Sequence, residues 1–83
     1  MDRYSVYATN RFKRSFRRLP RDVKERVKAA IEELAERPYL GRFIMTLGAW
    51  SWRVGDYRII YLIREDEREV ILLTVRHRRR AYR

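Results

Sequence analysis

The last nine residues of the chain, VRHRRRAYR (75–83), contain five arginines, one histidine and one tyrosine. Guanidinium groups packed this densely beside two proton-exchanging side chains either grip a polyanion or form a solvated basic tail. Arginine's planar fork can hold two phosphate oxygens at once, which lysine's point charge cannot. Phosphate binding is therefore the first chemistry to weigh. A second arginine pair bears on it. In WRVGDYR (52–58), Arg53 and Arg58 flank Gly55-Asp56, a two-residue hairpin signal. Such a turn sets Val54 opposite Tyr57 and Arg53 opposite Arg58, and like charges facing each other across a sheet cost stability. A bound polyanion offsets the repulsion. Without one the side chains splay into water at little cost.

Those residues need a sheet to hold them, and the pattern supplies one. Ala49–Val54, Tyr57–Arg64 and Glu69–Arg76 are rich in β-branched and aromatic residues, as strands are. Side chains alternate between faces. Trp50, Trp52, Val54, Tyr57, Ile59, Tyr61 and Ile63 then share one face, while Ser51, Arg53, Arg58, Ile60 and Leu62 share the other. Tyr57 and Tyr61 read as core. With EDER (65–68) as a four-residue turn, Arg64 meets Glu69, which predicts Tyr57 opposite Arg76 and Arg58 opposite Val75. The chain leaves the sheet beside the arginine pair, so the tail forms one wall of a phosphate site and brings His77 and Tyr82 with it.

The first half of the chain reads as a strand followed by a helical hairpin. RYSVYA (3–8) alternates, and Thr9 or Asn10 caps a helix carrying Phe12, Phe16 and Leu19 at helical spacing. Pro20 ends that helix and suits the start of the next. Val23, Val27, Ala30, Ile31 and Leu34 form the apolar stripe of the second helix, which ends near Glu36 before Arg37-Pro38. Arg21–Glu25, Asp22–Arg26 and Lys28–Glu32 are candidate ion pairs on its wetter sides. Phe43–Leu47 reads as a strand or an extended loop. The expectation is one small α+β domain over residues 1–83, in β-α-α-β-β-β order, its helical hairpin packed on a mainly antiparallel sheet.

Composition narrows the function classes. The chain has 83 residues, no cysteine and one histidine, so disulfides and zinc–thiolate sites are excluded and neither metal nor cofactor is expected. No apolar run approaches a membrane span, and the N-terminus lacks the layout of a signal peptide, so a cytoplasmic protein with no membrane partner is expected. The formal net charge is +10, and only Lys13, Lys24 and Lys28 among the basic residues are not arginine. A domain this basic usually meets nucleic acid or an acidic partner. Arginine excess also follows from genome composition or adaptation to heat, and by itself says nothing about catalysis. The charge is uneven: residues 1–20 hold six basic groups against one acid, and residues 76–83 hold five against none.

WRVGDYRIIYLI (52–63) followed by VILLTVRHRRRAYR (70–83), with a helical hairpin broken at Leu19-Pro20, resembles the RelE/ParE toxin superfamily of type II toxin–antitoxin systems over essentially the whole chain. That resemblance implies one of two activities. RelE-like members cut messenger RNA in the ribosomal A site without a metal, and ParE-like members inhibit DNA gyrase. On the RelE side it implies a cognate RelB-like antitoxin with acidic or amphipathic segments covering the basic face and sheet edge, and the ribosomal 30S A site with messenger RNA as further partners. It also implies roles. Arg58 matches the arginine at the scissile phosphate. Arg78, or its neighbour Arg79, matches the second catalytic arginine, and Tyr82 the C-terminal tyrosine. Arg53 and Ser51 fall where many of these enzymes carry two basic residues, often lysines.

Metal-free RNA cleavage needs a base, an acid and stabilisation of a dianionic phosphorane. Arg53, Arg58 and Arg78 would supply the stabilisation, usually the largest single contribution. Arginine stays protonated, so Tyr82 and His77 are the candidate bases, and Tyr82 could instead stack on a nucleobase. Ser51, Arg76, Arg79, Arg80 and Arg83 complete the expected RNA contacts. Ribosome-dependent members borrow the ribosome for alignment, so positioning can replace a strong base. The alternatives are a non-enzymatic gyrase inhibitor and a plain nucleic-acid-binding module whose arginines hold only the backbone.

Overall fold

The computed structural model describes residues 3–80, the side chain of Arg80 excepted. Its elements are β1 (Ser5–Ala8), α1 (Asn10–Arg17), α2 (Arg21–Glu36), β2 (Arg42–Ile44), β3 (Ala49–Val54), β4 (Tyr57–Arg64) and β5 (Glu69–His77). One-turn 3-10 helices occupy Pro38–Leu40 and Arg78–Arg80. Within Phe43–Leu47, where strand and loop competed, a three-residue strand ends at Ile44 and a turn follows. The five strands lie in the order β1-β5-β4-β3-β2. Among the described strands only the β1–β5 pairing is parallel, so the α+β expectation of a mainly antiparallel sheet holds.

Local chemistry explains the boundaries. The Thr9 side chain accepts the Phe12 amide at 3.1 Å and so caps α1. Pro20 sits at the N-cap of α2, where its missing N–H costs nothing. Gly55 takes φ 60°, and Asp56 is not among the positive-φ residues, the pattern of a type II′ hairpin turn with glycine first. On α2, Arg26–Asp22 forms as expected at 3.7 Å. Lys28 instead pairs with Glu25, and Glu32 is taken by Arg3 at 2.9 Å.

Both helices bury their apolar stripes on one face of the sheet. Phe12 of α1 and Val23, Val27, Ala30 and Leu34 of α2 pack against Ile59, Tyr61, Val70, Leu72 and Val75. Val27, Leu34, Ile59 and Tyr61 are fully buried, and each such side chain contributes about 1.5–3 kcal/mol. Trp50, Trp52, Val54, Tyr57 and Ile63 pack at the margin of this cluster, as the alternation predicts. Among the described residues no helix is long and apolar enough to cross a membrane.

Two irregularities shape the region that matters for function. β1 pairs only with Glu69–Leu72 of β5. Beyond that point α1 runs beside the strand, and the Ser15 hydroxyl accepts the Val75 amide at 3.2 Å. The second irregularity is a bulge: Ile60 pairs with Thr74 but Tyr61 with Leu72, so Leu73 is an extra residue in β5. Thr9 braces this spot, its hydroxyl lying 2.9 Å from the Leu72 carbonyl and 3.1 Å from that of Leu73.

Tyr61 ties the core to the loop before β2. Its hydroxyl donates to the Pro38 carbonyl at 2.7 Å and accepts the Gly41 amide at 3.2 Å. Burial pushes its pKa up to about 12, against a smaller lowering by the Gly41 amide. An unfolded tyrosine ionises near 10. The raised value means that this tyrosine's contribution is intact below pH 10 and is lost as pH rises towards 12, an expected loss of roughly 2–3 kcal/mol. Melting curves between pH 9 and pH 12 check this. Tyr61→Phe should flatten the decline in that window, while costing about 1–3 kcal/mol at neutral pH through the unpartnered Pro38 and Gly41 groups.

Candidate functional site

The three central strands assemble the arginines. Arg53 of β3 stands opposite Arg58 of β4, and Arg58 opposite Arg76 of β5. The three side chains therefore form one row running across the strands. Ile59 and Val75, each adjacent in sequence to a member of the row, belong to the core under the helices, so the row lies on the sheet face turned away from them. Arg58 and Arg76 are half-buried, Arg53 is exposed, and the Nε of Arg58 is shielded from solvent.

The expected register was one residue out at this end. Counting back from Arg64–Glu69 predicts Arg58 opposite Val75, but the extra residue at Leu73 advances β5 by one and brings Arg76 there instead. The correction strengthens the cationic row: a side chain expected to point towards the helices stands beside Arg58 on the opposite face.

The Gly55-Asp56 turn organises the ends of the row. Arg53 Nε donates to the Gly55 carbonyl at 2.9 Å. The Arg78 amide donates to the Asp56 carbonyl at 2.7 Å, and Arg78 Nε lies 4.0 Å from Asp56 Oδ1. Arg78 thus sits by the turn, at the end of the sheet. Asp56 is the only acid between residues 37 and 64, and residues 70–83 contain none, so little negative charge competes with an anionic ligand at this end.

Two expected members fall elsewhere. Ser51 lies in the neighbouring row with Arg42, Ile60 and Thr74, and at 2 % exposure its hydroxyl sits below the surface an RNA would reach. His77 pairs with Tyr57 on the helix side, the two rings edge to face with centroids 5.4 Å apart. Its Nδ1 accepts the Arg79 amide at 3.4 Å. The ring thus lies on the side of the strand turned away from the row. Arg79 follows on the 3-10 turn with an exposed side chain. Tyr82, Arg83 and the Arg80 side chain lie outside the described residues.

The arginines of the first helix were not among the expected site residues. Arg11, Arg14 and Arg18 face the end of β5 and, with Arg76, His77 and Arg79, line a cleft of about 640 Å³. Their spacing of i, i+3, i+7 is a helical stripe and was readable beside the apolar one. Arg42, on an edge strand directly across from Ser51, was missed because β2 itself was ambiguous.

Comparison with known proteins bears on the family and the fold. The family model for the ParE toxin of type II toxin–antitoxin systems (parDE) matches residues 3–82. A comparison with curated protein sequences found no match. Among solved structures, the toxin–antitoxin complex RelBE2 of Mycobacterium tuberculosis is similar at 29% identity, covering 94% of this chain and 94% of that one, with a TM-score of 0.85. The archaeal RelE–RelB complex of Pyrococcus horikoshii matches at 22% identity over 98% of this chain and 100% of that one, TM-score 0.78. The isolated E. coli RelE toxin matches at 19% identity over 95% and 88%, TM-score 0.81. The last two speak to the fold alone. By the family match and the shared architecture, the chain belongs to the RelE/ParE superfamily of type II toxin–antitoxin toxins.

Proposed function

We propose that this toxin is a ribosome-dependent endoribonuclease that cleaves messenger RNA in the A site, acting in the cytoplasm. The observation that carries the reading is the Arg53–Arg58–Arg76 row, three fixed cations on neighbouring strands. In the reaction the 2′-hydroxyl oxygen attacks the adjacent phosphorus. The new P–O2′ bond forms as the P–O5′ bond breaks, leaving a cyclic phosphate and a 5′-hydroxyl. A base takes the 2′ proton, and an acid delivers one to the 5′ oxygen. Guanidinium groups cannot be that base. Their work is to stabilise the dianionic phosphorane, with Arg58 central, Arg53 and Arg76 beside it and Arg78 reaching in from the Asp56 turn. Tyr82 is assigned the base role by its position in the family's C-terminal motif. His77, the other candidate base, is given no part in this step because its ring lies with Tyr57 on the side away from the row. The ribosome supplies the in-line geometry a weak base needs, so free RNA is expected to stay intact.

A RelB-like antitoxin would hold the toxin inactive, as the complexes among its structural neighbours suggest. A shallow apolar groove floored by Val6, Phe12, Phe16 and Ile31, with Lys13, Arg17 and Lys28 at its rim, suits an acidic amphipathic segment of that partner. One observation favours a second reading: the matching family model is that of ParE, whose members poison gyrase without cutting RNA. Primer extension on messenger in a reconstituted translation reaction, with and without ribosomes, separates the two when run beside a gyrase supercoiling assay. A-site cuts that require ribosomes support the nuclease. Intact messenger with inhibited supercoiling overturns it.

A further inference from the structure

The row of arginines does not stop at β5. Because β1 pairs only as far as Leu72, the next element beyond Arg76 is α1. Arg76 itself lines the cleft against that helix, together with Arg11, Arg14, Arg18 and Arg79. The row lies on one face of the sheet and the cleft on the helix side, and they meet at Arg76 on the edge of β5, where a second group of arginines that the cleavage chemistry does not use begins.

The α1 arginines differ from the charges on α2. Two cations of the second helix and the one at its C-cap lie beside carboxylates, Arg26 by Asp22, Lys28 by Glu25 and Arg37 by Glu33. Among the described residues no carboxylate forms an ion pair with Arg11, Arg14 or Arg18, and no acid lines the cleft. The first turn of α1 also lacks an acid, so Arg11 stands near the positive end of the helix dipole, where a cation is unfavourable. Arg14 and Arg18 lie at the other end of the helix, where the dipole favours them, but like charges gathered beside one cleft without a carboxylate partner among the described residues fit a site completed by an anion. The cleft's volume, about 640 Å³, falls in the range of small-ligand pockets, about 300–1,000 Å³. The edge-to-face pair of Tyr57 and His77 forms one of its walls, and aromatic walls in basic grooves take nucleobases by stacking.

The geometry points to a second RNA subsite in this cleft, where Arg11, Arg14 and Arg18 hold the phosphates of single-stranded RNA flanking the cleaved bond. The strand crosses the sheet along the arginine row, turns around the edge of β5 at Arg76 and enters the cleft beside α1. This rests on the reading that RNA is the substrate. An acidic protein segment is the competing occupant. The continuity with the row, the arginine forks and the aromatic wall favour RNA.

The test is fluorescence anisotropy with a labelled, 2′-O-methylated oligoribonucleotide that cannot be cut, in lengths from two to eight nucleotides and across a salt series. Arg14→Gln/Arg18→Gln is compared with the charge-matched Arg21→Gln/Arg37→Gln, all four positions being exposed, and Arg11→Gln serves as an independent second variant. The subsite predicts that wild-type affinity rises as the strand outgrows the dinucleotide. Arg14→Gln/Arg18→Gln should lose that rise, bind the longest strand on the order of tenfold more weakly, and reduce the salt slope by about 1.4, or about 0.7 per phosphate contact. Equal losses in the two doubles would overturn it, since charge alone would then suffice. So would loss of polyglutamate binding with RNA binding intact, which assigns the cleft to a protein ligand. The outcome for Arg58→Ala separates this inference from the nuclease reading. Weakening by Arg58→Ala with normal α1 variants removes the subsite and leaves the nuclease. The reverse pattern keeps the subsite and removes Arg58 from the RNA path.

Discussion

Arg58→Ala is expected to lower ribosome-dependent messenger cleavage by about 100- to 1,000-fold, the usual consequence of removing one donor aimed at developing negative charge. Its position explains the size. Arg58 is the middle of three cations and is held between two strands, with Nε already shielded from solvent, so charge on a phosphate there is poorly screened by water. Arg53, exposed and tied to the Gly55 carbonyl, should cost only about tenfold when replaced by alanine. Arg58→Lys keeps the charge but loses the fork and should recover only part of the rate. The side chain points away from the helical core, so the variant should melt within about 1 kcal/mol of wild type. Rates from primer extension, set beside thermal melts, check the prediction. A binding module without catalysis would show similar small losses at each arginine and no cleavage to lose.

The largest expected stability effect lies at Gly41. A Cβ there would stand 2.6 Å from the Ser51 carbonyl oxygen and 2.6 Å from the Tyr61 hydroxyl. Neither atom yields readily, since one belongs to the β3 backbone and the other bonds to Pro38. Gly41→Ala should cost roughly 3 kcal/mol through overpacking and a strained hydrogen bond. In a domain this size that lowers Tm by on the order of 15 °C. Gly48→Ala is the comparison: the space around it is empty but its φ is 63°, and an L-residue there costs only about 1–2 kcal/mol. Adding Tyr61→Phe to Gly41→Ala should restore little, because the Ser51 carbonyl remains in the way. Denaturant melts of the three variants check the ranking. Since Ser51 precedes Arg53 by two residues, residual activity of Gly41→Ala also reports how tightly β3 must be held to keep the row aligned.

Much of this was legible in the residues because it depends on short-range rules. The Gly55-Asp56 turn fixes the β3–β4 register outright, and every pair from Val54–Tyr57 to Trp50–Tyr61 lies where the turn puts it. The β4–β5 register was not legible near the site, because nothing in VILLTVRH (70–77) announces that Leu73 bulges. The cause is tertiary: Thr9 braces that point from the end of β1. One displaced residue was enough to move Arg76 into the row and His77 out of it. The parallel placement of β1 at the edge, and with it the neighbourhood of α1, likewise depends on contacts far apart in the chain. Arg11, Arg14 and Arg18 therefore read as wet residues of an amphipathic helix until the cleft beside β5 appears.

The sheet tapers at both sides. Its longest strands, β4 and β5, lie inside, and its outermost strands have four and three residues. Past Leu72 the edge of β5 that β1 leaves unpaired is covered by α1, whose Ser15 hydroxyl takes the Val75 amide. A neighbouring copy therefore finds at most three or four residues of open backbone on which to stack, too short a template for strand-by-strand polymer growth. With ten excess positive charges pushing copies apart, the protein should tolerate concentration without forming fibrils. Poor solubility, where it occurs, should trace to the apolar corner around Phe43 and Met45, which are 52% and 83% exposed, and yield to polar substitution there.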